Sequence, residues 1–495
     1  MSASLRPEGI PVFVDGDVVL TTPGLTGTAS VHRAASPGMR SAEATTADFL
    51  AALEEADVTE QLTVEISGQA ELDGRGATRA GGQGEEIVLE VPAPGEGNGQ
   101  VLLYAAEDGS LTWHLPDSVP RAEVAQRGGE RRTYRVPRAV VAASATEGGQ
   151  RGLLGALGSK LLKVLVFPLI DPVLGKVGNH FAGRWEDRHR RNLVRRVTPG
   201  TLRQRDVPPL TSADWARLGT GPALLFLHGT FAMAHTAFSA LPPDLLTELD
   251  RRYAGRLLAL DHHTVSVTPG ANIEWLAGAL DAAGVHGPLV LDVVTHSRGG
   301  LVGRALAEQS AALGVGDRLA VRNLVMVAPP NAGTALADPE HLGALLDRMT
   351  NLLQFLPDNG VTDTAALILS VLKQLAVGMF GGLEGITAMD PDGDYLTAFN
   401  DGSGSGATYR VVTADFEPSP GSSLGRIARD GVTDLVFGAT DNDLVVPTRG
   451  AYEVPGATGF PIADPFILPA SAGVDHCSFF GRPDVAKHLL DWLPG

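Results

Sequence analysis

Residues 289–300, which read LVLDVVTHSRGG, constrain the fold of this chain more than any other stretch. An apolar, β-branched run is cut off by a short turn around Ser297, and a helical pattern then begins at Leu301. A strand, a sharp turn with small residues on both sides of a serine, and a helix form the context of a nucleophile elbow. The turn strains the serine backbone, and only small neighbours let strand and helix approach so closely. We therefore predict that the Ser297 hydroxyl projects from the top of a sheet as a nucleophile.

The length and composition of the chain set its broad class. A chain of 495 residues is too long for one compact core, so we expect at least two domains. The net charge of −18 argues against a nucleic-acid partner, and the single cysteine, Cys477, excludes an internal disulfide and a cysteine-based zinc site. Neither a signal peptide nor an apolar span of ~18–20 residues, which a transmembrane helix needs, is evident. We expect a cytoplasmic protein, and the bias toward Ala, Gly, Arg and Asp is typical of a GC-rich bacterial source.

Residues 1–145 are predicted to form a β-rich domain, either a sandwich or a small barrel. Short alternating apolar runs recur there, separated by turns rich in Gly, Pro and Asp, of which 73–84 and 92–99 are the clearest. One helix is predicted within this domain, over residues 47–56. Since no catalytic combination of residues is evident, we interpret the domain as a structural or binding module.

Residues 146–199 differ in composition from both neighbouring parts. The stretch 153–177 is strongly apolar but is broken by Pro168 and Pro172, and six arginines follow between residues 184 and 196. We interpret this segment as a helical linker that packs on the following domain, with its arginines solvated or paired with acidic groups. Peripheral membrane contact through 151–198 is the alternative, because an apolar, arginine-rich segment suits anionic lipid, although the prolines break any long apolar stripe.

From about residue 200 to 495, strands alternate with helices, which predicts an α/β domain with a mostly parallel, doubly wound sheet. Its predicted strands are ALLFL (223–227), RLLAL (256–260), LVLDVV (289–294), NLVMV (323–327) and YRVVT (409–413). A helical, apolar insertion occupies 336–385, between the last two of these strands. Such insertions commonly cover the substrate site, so we predict a lid or the wall of an acyl pocket, with ordinary core helices as the alternative.

A serine nucleophile needs a base that titrates near neutral pH, which means histidine, and a carboxylate that orients the imidazole. In elbow enzymes the chain order is serine, then an acid, then histidine. Three histidines follow the elbow: His341 inside the insertion, His476 in a loop before the last helix, and His488 within that helix. The position of a loop at the carboxyl end of the sheet favours His476 as the general base.

Three aspartates are candidates for the acid. Asp443 directly precedes an apolar run and is the first choice. Asp441, two residues earlier, and Asp415, just past the strand at 409–413, are the alternatives. An aspartate in any of these loops is otherwise interpreted as a turn cap.

The oxyanion hole requires two backbone N–H groups. One is predicted to be that of Arg298, the residue after the nucleophile. The second must come from the loop after the strand at 223–227, where His228-Gly229-Thr230-Phe231 follows. We predict the N–H of Thr230, with that of Phe231 as the alternative.

The segment 200–495 resembles the α/β-hydrolase superfamily in its lipase/esterase branch, which includes bacterial triacylglycerol lipases and related deacylases. The motifs that carry the resemblance are LLFLHGT (224–230), VVTHSRGG (293–300), VMVAPPNAGT (325–334), TDNDLVVP (440–447) and VDHCSFF (474–480). The resemblance implies Ser297 as the nucleophile, Asp443 as the acid and His476 as the base, with oxyanion N–H groups after HG and after the serine. Thr295 and Leu444 stand where many relatives have glycine.

These features predict a serine hydrolase that cleaves carboxylic esters through a Ser-Asp-His triad and an acyl-enzyme, with an acyl ester or a lipid as substrate. This chemistry requires no metal and no organic cofactor. An acyltransferase, a thioesterase or a peptidase with the same triad is the alternative among enzymes. An inert scaffold or interaction protein is the alternative outside them.

Overall fold

The computed structural model describes residues 2–33, 59–71, 86–95, 98–105, 111–114, 116–117, 131–137, 160–168, 177–337, 383–402, 404–416 and 440–495. These residues belong to two compact units, one containing those up to Val177 and the other those from Gly178 onward. The predicted helix at 47–56, most of the predicted insertion at 336–385, and His341 lie outside the described residues.

The first unit is built of strands. They are β1 (Ser2–Ser4), β2 (Val12–Asp15), β3 (Val18–Thr21), β4 (Leu25–Arg33), β5 (Thr59–Glu71), β6 (Glu86–Pro92), β7 (Asn98–Ala105), β8 (Leu111–His114), β9 (Arg131–Pro137) and β10 (Lys160–Pro168). Antiparallel pairing gives two sheets, in the orders β1-β4-β5-β10-β7-β8 and β2-β3-β6-β9. In β6, the buried Ile87, Leu89 and Val91 alternate with partly exposed residues, and buried side chains of both sheets form one core. The predicted β-rich N-terminal part is confirmed.

Within the predicted helical linker at 146–199, the prediction is wrong for residues 160–168, while Val177–His189 do form a helix. Residues Lys160–Pro168 form strand β10, which pairs with β5 on one side and with β7 on the other. The apolar run LLKVLVF fits either a buried strand or a helix by its periodicity alone. Pairing on both sides supplies partners for the backbone N–H and C=O groups of this central strand. The local sequence does not reveal these partner strands. The arginine-rich part belongs to the second unit, as one helix and one strand.

Two of the arginines in this segment are interior. Arg195 is buried, donates to the carbonyl of Thr201 at 3.0 Å and lies 3.6 Å from the carboxylate of Asp261. Arg190 is also buried and donates to the carbonyl of Ala232 at 3.2 Å. Guanidinium groups held in this way are not available to lipid head groups. These two arginines therefore give no support to a membrane-docking helix.

The second unit alternates helices with strands. Its helices are α1 (Val177–His189), α2 (Ser212–Leu218), α3 (Ala234–Ala237), α4 (Pro243–Arg252), α5 (Pro269–Ala282), α6 (Gly299–Glu308), α7 (Glu384–Thr387), α8 (Asp394–Asn400) and α9 (Pro483–Trp492). Its strands are β11 (Leu193–Val197), β12 (Ala223–Leu227), β13 (Leu257–Asp261), β14 (Leu289–His296), β15 (Leu319–Val327), β16 (Thr408–Ala414) and β17 (Phe466–Leu468). Short 3₁₀ turns occur at Ala335–Ala337, Arg449–Ala451, Ala470–Ala472 and Phe479–Gly481.

The seven strands form one sheet in the order β11-β13-β12-β14-β15-β16-β17, in which only β11 runs antiparallel to its neighbour. Every residue of β12 and β13 is buried, as expected for parallel strands covered on both faces. The chain passes from β12 to β13 on one side and then to β14 on the other side. The carboxyl ends of β12 and β14 therefore flank a switch point, where open sheets of this kind bind ligands.

This mostly parallel sheet, with a strand–turn–helix at the end of β14, gives the second unit the α/β-hydrolase fold. The predicted fold class is confirmed. No helix within the described ranges is long and apolar enough to cross a membrane.

Candidate active site

Strand β14 delivers Ser297 to the carboxyl edge of the sheet, and helix α6 begins two residues later. The backbone of Ser297 is left-handed, with φ at +53°, and its N–H donates to the carbonyl of Val327 at 2.8 Å. A non-glycine residue in this region carries strain of about 1–3 kcal/mol, which the surrounding structure has to hold. The geometry at Ser297 is that of the predicted elbow.

Small residues around Ser297 allow α6 to pack closely on the sheet. A Cβ atom at Gly299 would overlap the carbonyl of Leu227 and would lie 2.6 Å from that of His228. Thr295, which stands where the resemblance leads us to expect glycine, is buried. Gly303, one turn into α6, leaves room for it, since a Cβ there would lie 3.0 Å from Thr295 Cγ2. The extra volume at the first elbow position is thus matched by a missing side chain on the helix.

The predicted nucleophile, base and acid form one chain of hydrogen bonds. His476 Nε2 lies 2.8 Å from Ser297 Oγ, and His476 Nδ1 lies 2.8 Å from Asp443 Oδ2. All three side chains are buried. The other oxygen of Asp443 accepts the N–H groups of Val445 at 3.0 Å and Val446 at 2.8 Å. A carboxylate held on both sides in this way favours the tautomer with the proton on Nδ1, which leaves Nε2 to accept the serine proton.

The residue after the acid has an unusual backbone. Leu444 lies in the left-handed region, with φ at +84°, and its N–H donates to Asn442 Oδ1 at 2.9 Å. Glycine adopts this conformation at little cost, which is the physical reason to expect glycine at this position. The leucine therefore adopts the backbone expected of glycine and leaves Asp443 in place.

The alternative acids and bases lie elsewhere. Asp441 is exposed, and its carbonyl accepts the N–H of Thr448. Asp415 follows β16, and its N–H donates to Leu468 at 3.0 Å beside β17. His488 is in α9, where its ring stacks on an aromatic side chain of β17. The structure thus joins the first-choice acid and base to the nucleophile.

The loop after β12 lies against the elbow. A Cβ atom at Gly229 would lie 2.7 Å from Ser297 Cβ, so this glycine lets the loop approach the nucleophile. The N–H groups of Thr230 and Arg298 have no hydrogen-bond acceptor among the described residues. The N–H of Phe231, by contrast, donates to Thr264 Oγ1 at 3.2 Å. Because the N–H of Phe231 is already paired, the geometry favours Thr230 over Phe231 as the oxyanion donor from this loop, together with Arg298.

The side chain of Arg298 has a separate role that the sequence did not indicate. It is fully buried and donates to the carbonyls of Gly385, at 2.8 Å, and Val267, and to Asn272 Oδ1 at 3.1 Å. Burial lowers the pKa of Arg298 to about 10, so the guanidinium stays charged at neutral pH. It ties the first turn of α6 to the start of α5 and to α7.

Two further histidines support the site and were missed. His296 Nε2 donates to the carbonyl of His476 at 2.8 Å, and burial lowers the pKa of His296 to about 4. His228 accepts the N–H of His262 on Nε2 and donates from Nδ1 to the carbonyl of Gly229, both at 3.0 Å; burial lowers its pKa to about 3. Both rings are therefore neutral scaffolding. Only their positions, next to the nucleophile and at the strand end, could have pointed to them.

This arrangement can activate a hydroxyl and stabilise a negative oxygen. The buried carboxylate and imidazole form a relay to the serine, and the N–H groups of Thr230 and Arg298 have no acceptor within the described ranges. The described residues contain no cluster of three or more His, Cys, Asp or Glu side chains that could hold a metal ion.

Residues 189–494 match the family model described as "Domain of unknown function (DUF7379)". The match covers more than half of the chain, and the protein therefore belongs to this family. No curated protein matches the sequence.

Several solved structures are similar to this chain at low identity. The lipase BlEst2 of Bacillus licheniformis in mature form is 17% identical over 55% of this chain and 92% of that one, with a TM-score of 0.33. Lipase 1 from Pelosinus fermentans is 13% identical over 54% of this chain and 95% of that one, with a TM-score of 0.38. Phospholipase PlaB from Legionella pneumophila is 18% identical over 46% of this chain, with a TM-score of 0.32, and this chain spans 45% of its length. These values are too low to transfer an activity.

Proposed function

We propose that this member of the DUF7379 family is a serine hydrolase that cleaves carboxylic esters, with an acyl ester or a lipid as substrate. The observation that carries the proposal is the continuous relay in which Ser297, His476 and Asp443 are joined by two hydrogen bonds of 2.8 Å each. All three groups are buried, so the relay operates where electrostatic interactions are strong.

In the first half of the reaction, Ser297 Oγ attacks the ester carbonyl carbon while His476 Nε2 takes the hydroxyl proton. The Asp443 carboxylate stabilises the imidazolium that forms. The tetrahedral intermediate then collapses, the C–O bond to the alcohol breaks, and His476 gives its proton to the departing alkoxide. The products of this half are the free alcohol and an acyl group on Ser297.

The negative oxygen of the intermediate is held by the N–H groups of Thr230 and Arg298. Both come from rigid elements, since Arg298 opens α6 and Thr230 follows β12 within a loop that lies against the elbow. The first turn of a helix also carries a partial positive charge. Each such donor supplies about 2.7–4 kcal/mol of transition-state stabilisation in enzymes of this type.

In the second half, water replaces the alcohol. His476 takes a proton from water, hydroxide attacks the acyl carbonyl, and Ser297 leaves with the proton returned by His476. The enzyme is regenerated and a carboxylic acid is released. All proton transfers use the same imidazole nitrogen, so the relay needs no further titratable group.

A substrate panel tests the proposal against the other reactions that share this relay. Purified protein is assayed with p-nitrophenyl esters of several chain lengths, acyl-CoA and peptide anilides. We expect the highest kcat/KM with an oxygen ester. Ser297→Ala is expected to lower it at least about 10³-fold, whereas Ser212→Ala, which changes an exposed serine of α2, leaves it unchanged.

Three results would replace the proposal. Preference for acyl-CoA or for peptides over every oxygen ester would identify a thioesterase or a peptidase. Transfer of the acyl group to an added alcohol in preference to water would identify an acyltransferase. Inactivity on the whole panel, together with no covalent labelling of Ser297 by a fluorophosphonate, would favour an inert interaction protein.

A further inference from the structure

We propose that Glu186 is a positioning residue of the oxyanion hole. It holds the loop at residues 264–267, and this loop fixes both elements that supply the oxyanion N–H groups. The inference rests on the proposed function, since it assigns a role within the same site. It also gives a chemical role to the arginine-rich segment before residue 200, which looked like a linker in the sequence.

Glu186 is a fully buried acid on α1 whose carboxylate is saturated by one loop. Oε1 accepts the N–H groups of Thr264 at 2.6 Å and Val265 at 3.1 Å. Oε2 accepts the N–H of Ser266 at 3.0 Å and its hydroxyl at 2.5 Å. Three successive backbone N–H groups that point at one carboxylate form a preorganised anion site, here occupied by a side chain of the same chain. The conformation of this loop is therefore set by Glu186.

On one side the loop holds the residues that follow β12. Thr264 Oγ1 accepts the N–H of Phe231 at 3.2 Å, and the Thr264 hydroxyl also lies 3.4 Å from Glu186 Oε1. The hydroxyl proton directed to the carboxylate leaves an oxygen lone pair for Phe231. Phe231 has a left-handed backbone, with φ at +56°, which this hydrogen bond helps to stabilise. Thr230, whose N–H has no acceptor in the part of the chain that the structure describes, is thereby held in place.

On the other side the loop holds the Arg298 side chain. The carbonyl of Val267 accepts from one end of the guanidinium, and the carbonyl of Gly385 accepts from Nε. Gly385 is itself bound to the loop, since its N–H donates to the carbonyl of Val265 at 2.9 Å. A Cβ at Gly385 would overlap the carbonyl of Thr264, so this contact requires glycine. The backbone of Arg298, and with it the second oxyanion N–H, is anchored through this contact.

Charge balance supports the same assignment. Burial lowers the pKa of Arg298 and of Arg190, and the negative charge of Glu186 is the largest influence that raises both again. A neutral side chain at position 186 would leave two buried guanidinium groups without this counter-charge. A glutamine would also offer one acceptor in place of two and would turn an N–H₂ group toward backbone N–H donors.

The test separates positioning from general stability. Variants Glu186→Gln, Thr264→Val and Thr264→Ser are compared with wild type in ester hydrolysis and in inhibition by an alkyl trifluoromethyl ketone. Such a ketone adds to the nucleophilic serine and places a negative oxygen in the oxyanion hole. Glu308→Gln is the matched control, because Glu308 is a buried acid that pairs with Arg304, outside the contacts described above.

We expect Glu186→Gln to lower kcat about 10- to 100-fold with KM within threefold of wild type, and to weaken ketone inhibition by a similar factor. Thr264→Val, which removes the acceptor for Phe231 but preserves side-chain shape, should lower kcat about tenfold. Thr264→Ser should retain wild-type kcat. Glu308→Gln should lower the free energy of unfolding without changing the ratio between the inhibition constant of the ketone and the KM of the substrate.

Two outcomes would overturn the role proposed for Glu186 and leave the proposed function standing. One is a Glu186→Gln or Thr264→Val protein with kcat within twofold of an active wild type. The other is a loss confined to melting temperature, with unchanged ketone inhibition in the folded fraction. Wild type that turns over no ester and is not inhibited by the ketone would overturn the proposed function together with this inference.

Discussion

A single methyl group at Gly229 would change the distance between the oxyanion loop and the nucleophile. In Gly229→Ala the new Cβ would lie 2.7 Å from Ser297 Cβ and 3.1 Å from the carbonyl of His296. Carbon atoms in contact prefer about 3.5–4.0 Å, so the loop or the serine must move by about 1 Å. A misplacement of this size costs on the order of 10²-fold in rate. Overpacking should also lower the free energy of unfolding by about 1–3 kcal/mol.

Gly278→Ala is the control for the glycine-to-alanine change itself. Gly278 is exposed on α5, and a Cβ there meets no atom within 4 Å. This variant should gain about 0.5–1 kcal/mol of stability, because alanine favours a helix, and should keep wild-type kcat/KM. Both variants are assayed with the best ester of the panel at a temperature where each is folded. If Gly229→Ala were folded and had wild-type kcat/KM, the close approach of loop and nucleophile would be refuted.

Two further predictions concern the acid, Asp443, and the buried His235 of α3. Asp443→Asn should lower kcat about 10³- to 10⁴-fold because the amide imposes the wrong imidazole tautomer. The kcat of Asp441→Asn, which changes an exposed carboxylate, should stay within twofold of wild type. Equal losses of kcat in ester assays of the two variants would contradict the assignment of Asp443 as the acid. Burial lowers the pKa of His235 to about 4, so the unfolded chain binds a proton below pH ~6.5 that the folded chain does not, and stability falls as the pH drops toward 4. Between pH 7 and pH 5, the free energy of unfolding measured in urea should therefore fall by about 2 kcal/mol less in His235→Phe than in wild type. An identical fall in the two proteins would show that His235 is not neutral in the folded state.

The parts of the site that depend on local pattern could be predicted from the sequence. The change from a β-branched run to a helical pattern around Ser297 identifies the elbow, because a strained turn needs small neighbours. The order of serine, acid and histidine then leads to His476, although 179 residues separate it from the nucleophile. The sequence pattern favours Asp443 over Asp441 as the acid but does not exclude Asp441, since both are aspartates in one loop. The left-handed backbone at Leu444 and the burial of Asp443 separate them in the structure.

The parts that depend on distant contacts could not be predicted. The run in β10 fits a helix as well as a strand, and its two partner strands decide between them. Glu186 resembles any surface acid of an arginine-rich helix, and only the fold brings it to a loop 78 residues later. In the sequence, Phe231 is the alternative to its neighbour Thr230, and only the fold shows that the Phe231 N–H donates to the distant hydroxyl of Thr264. In each case the deciding partner is far away along the chain.

Covalent labelling with a fluorophosphonate tests the central claim most directly, because the probe reacts with an activated serine whatever the natural substrate is. Intact mass measurement and peptide mapping should find one adduct per wild-type chain, located on Ser297. Ser297→Ala should remain unlabelled, and Asp443→Asn should label far more slowly than wild type. Wild type that stays unlabelled while folded, or Ser297→Ala that labels at the wild-type rate, would contradict the assignment of Ser297 as an activated nucleophile.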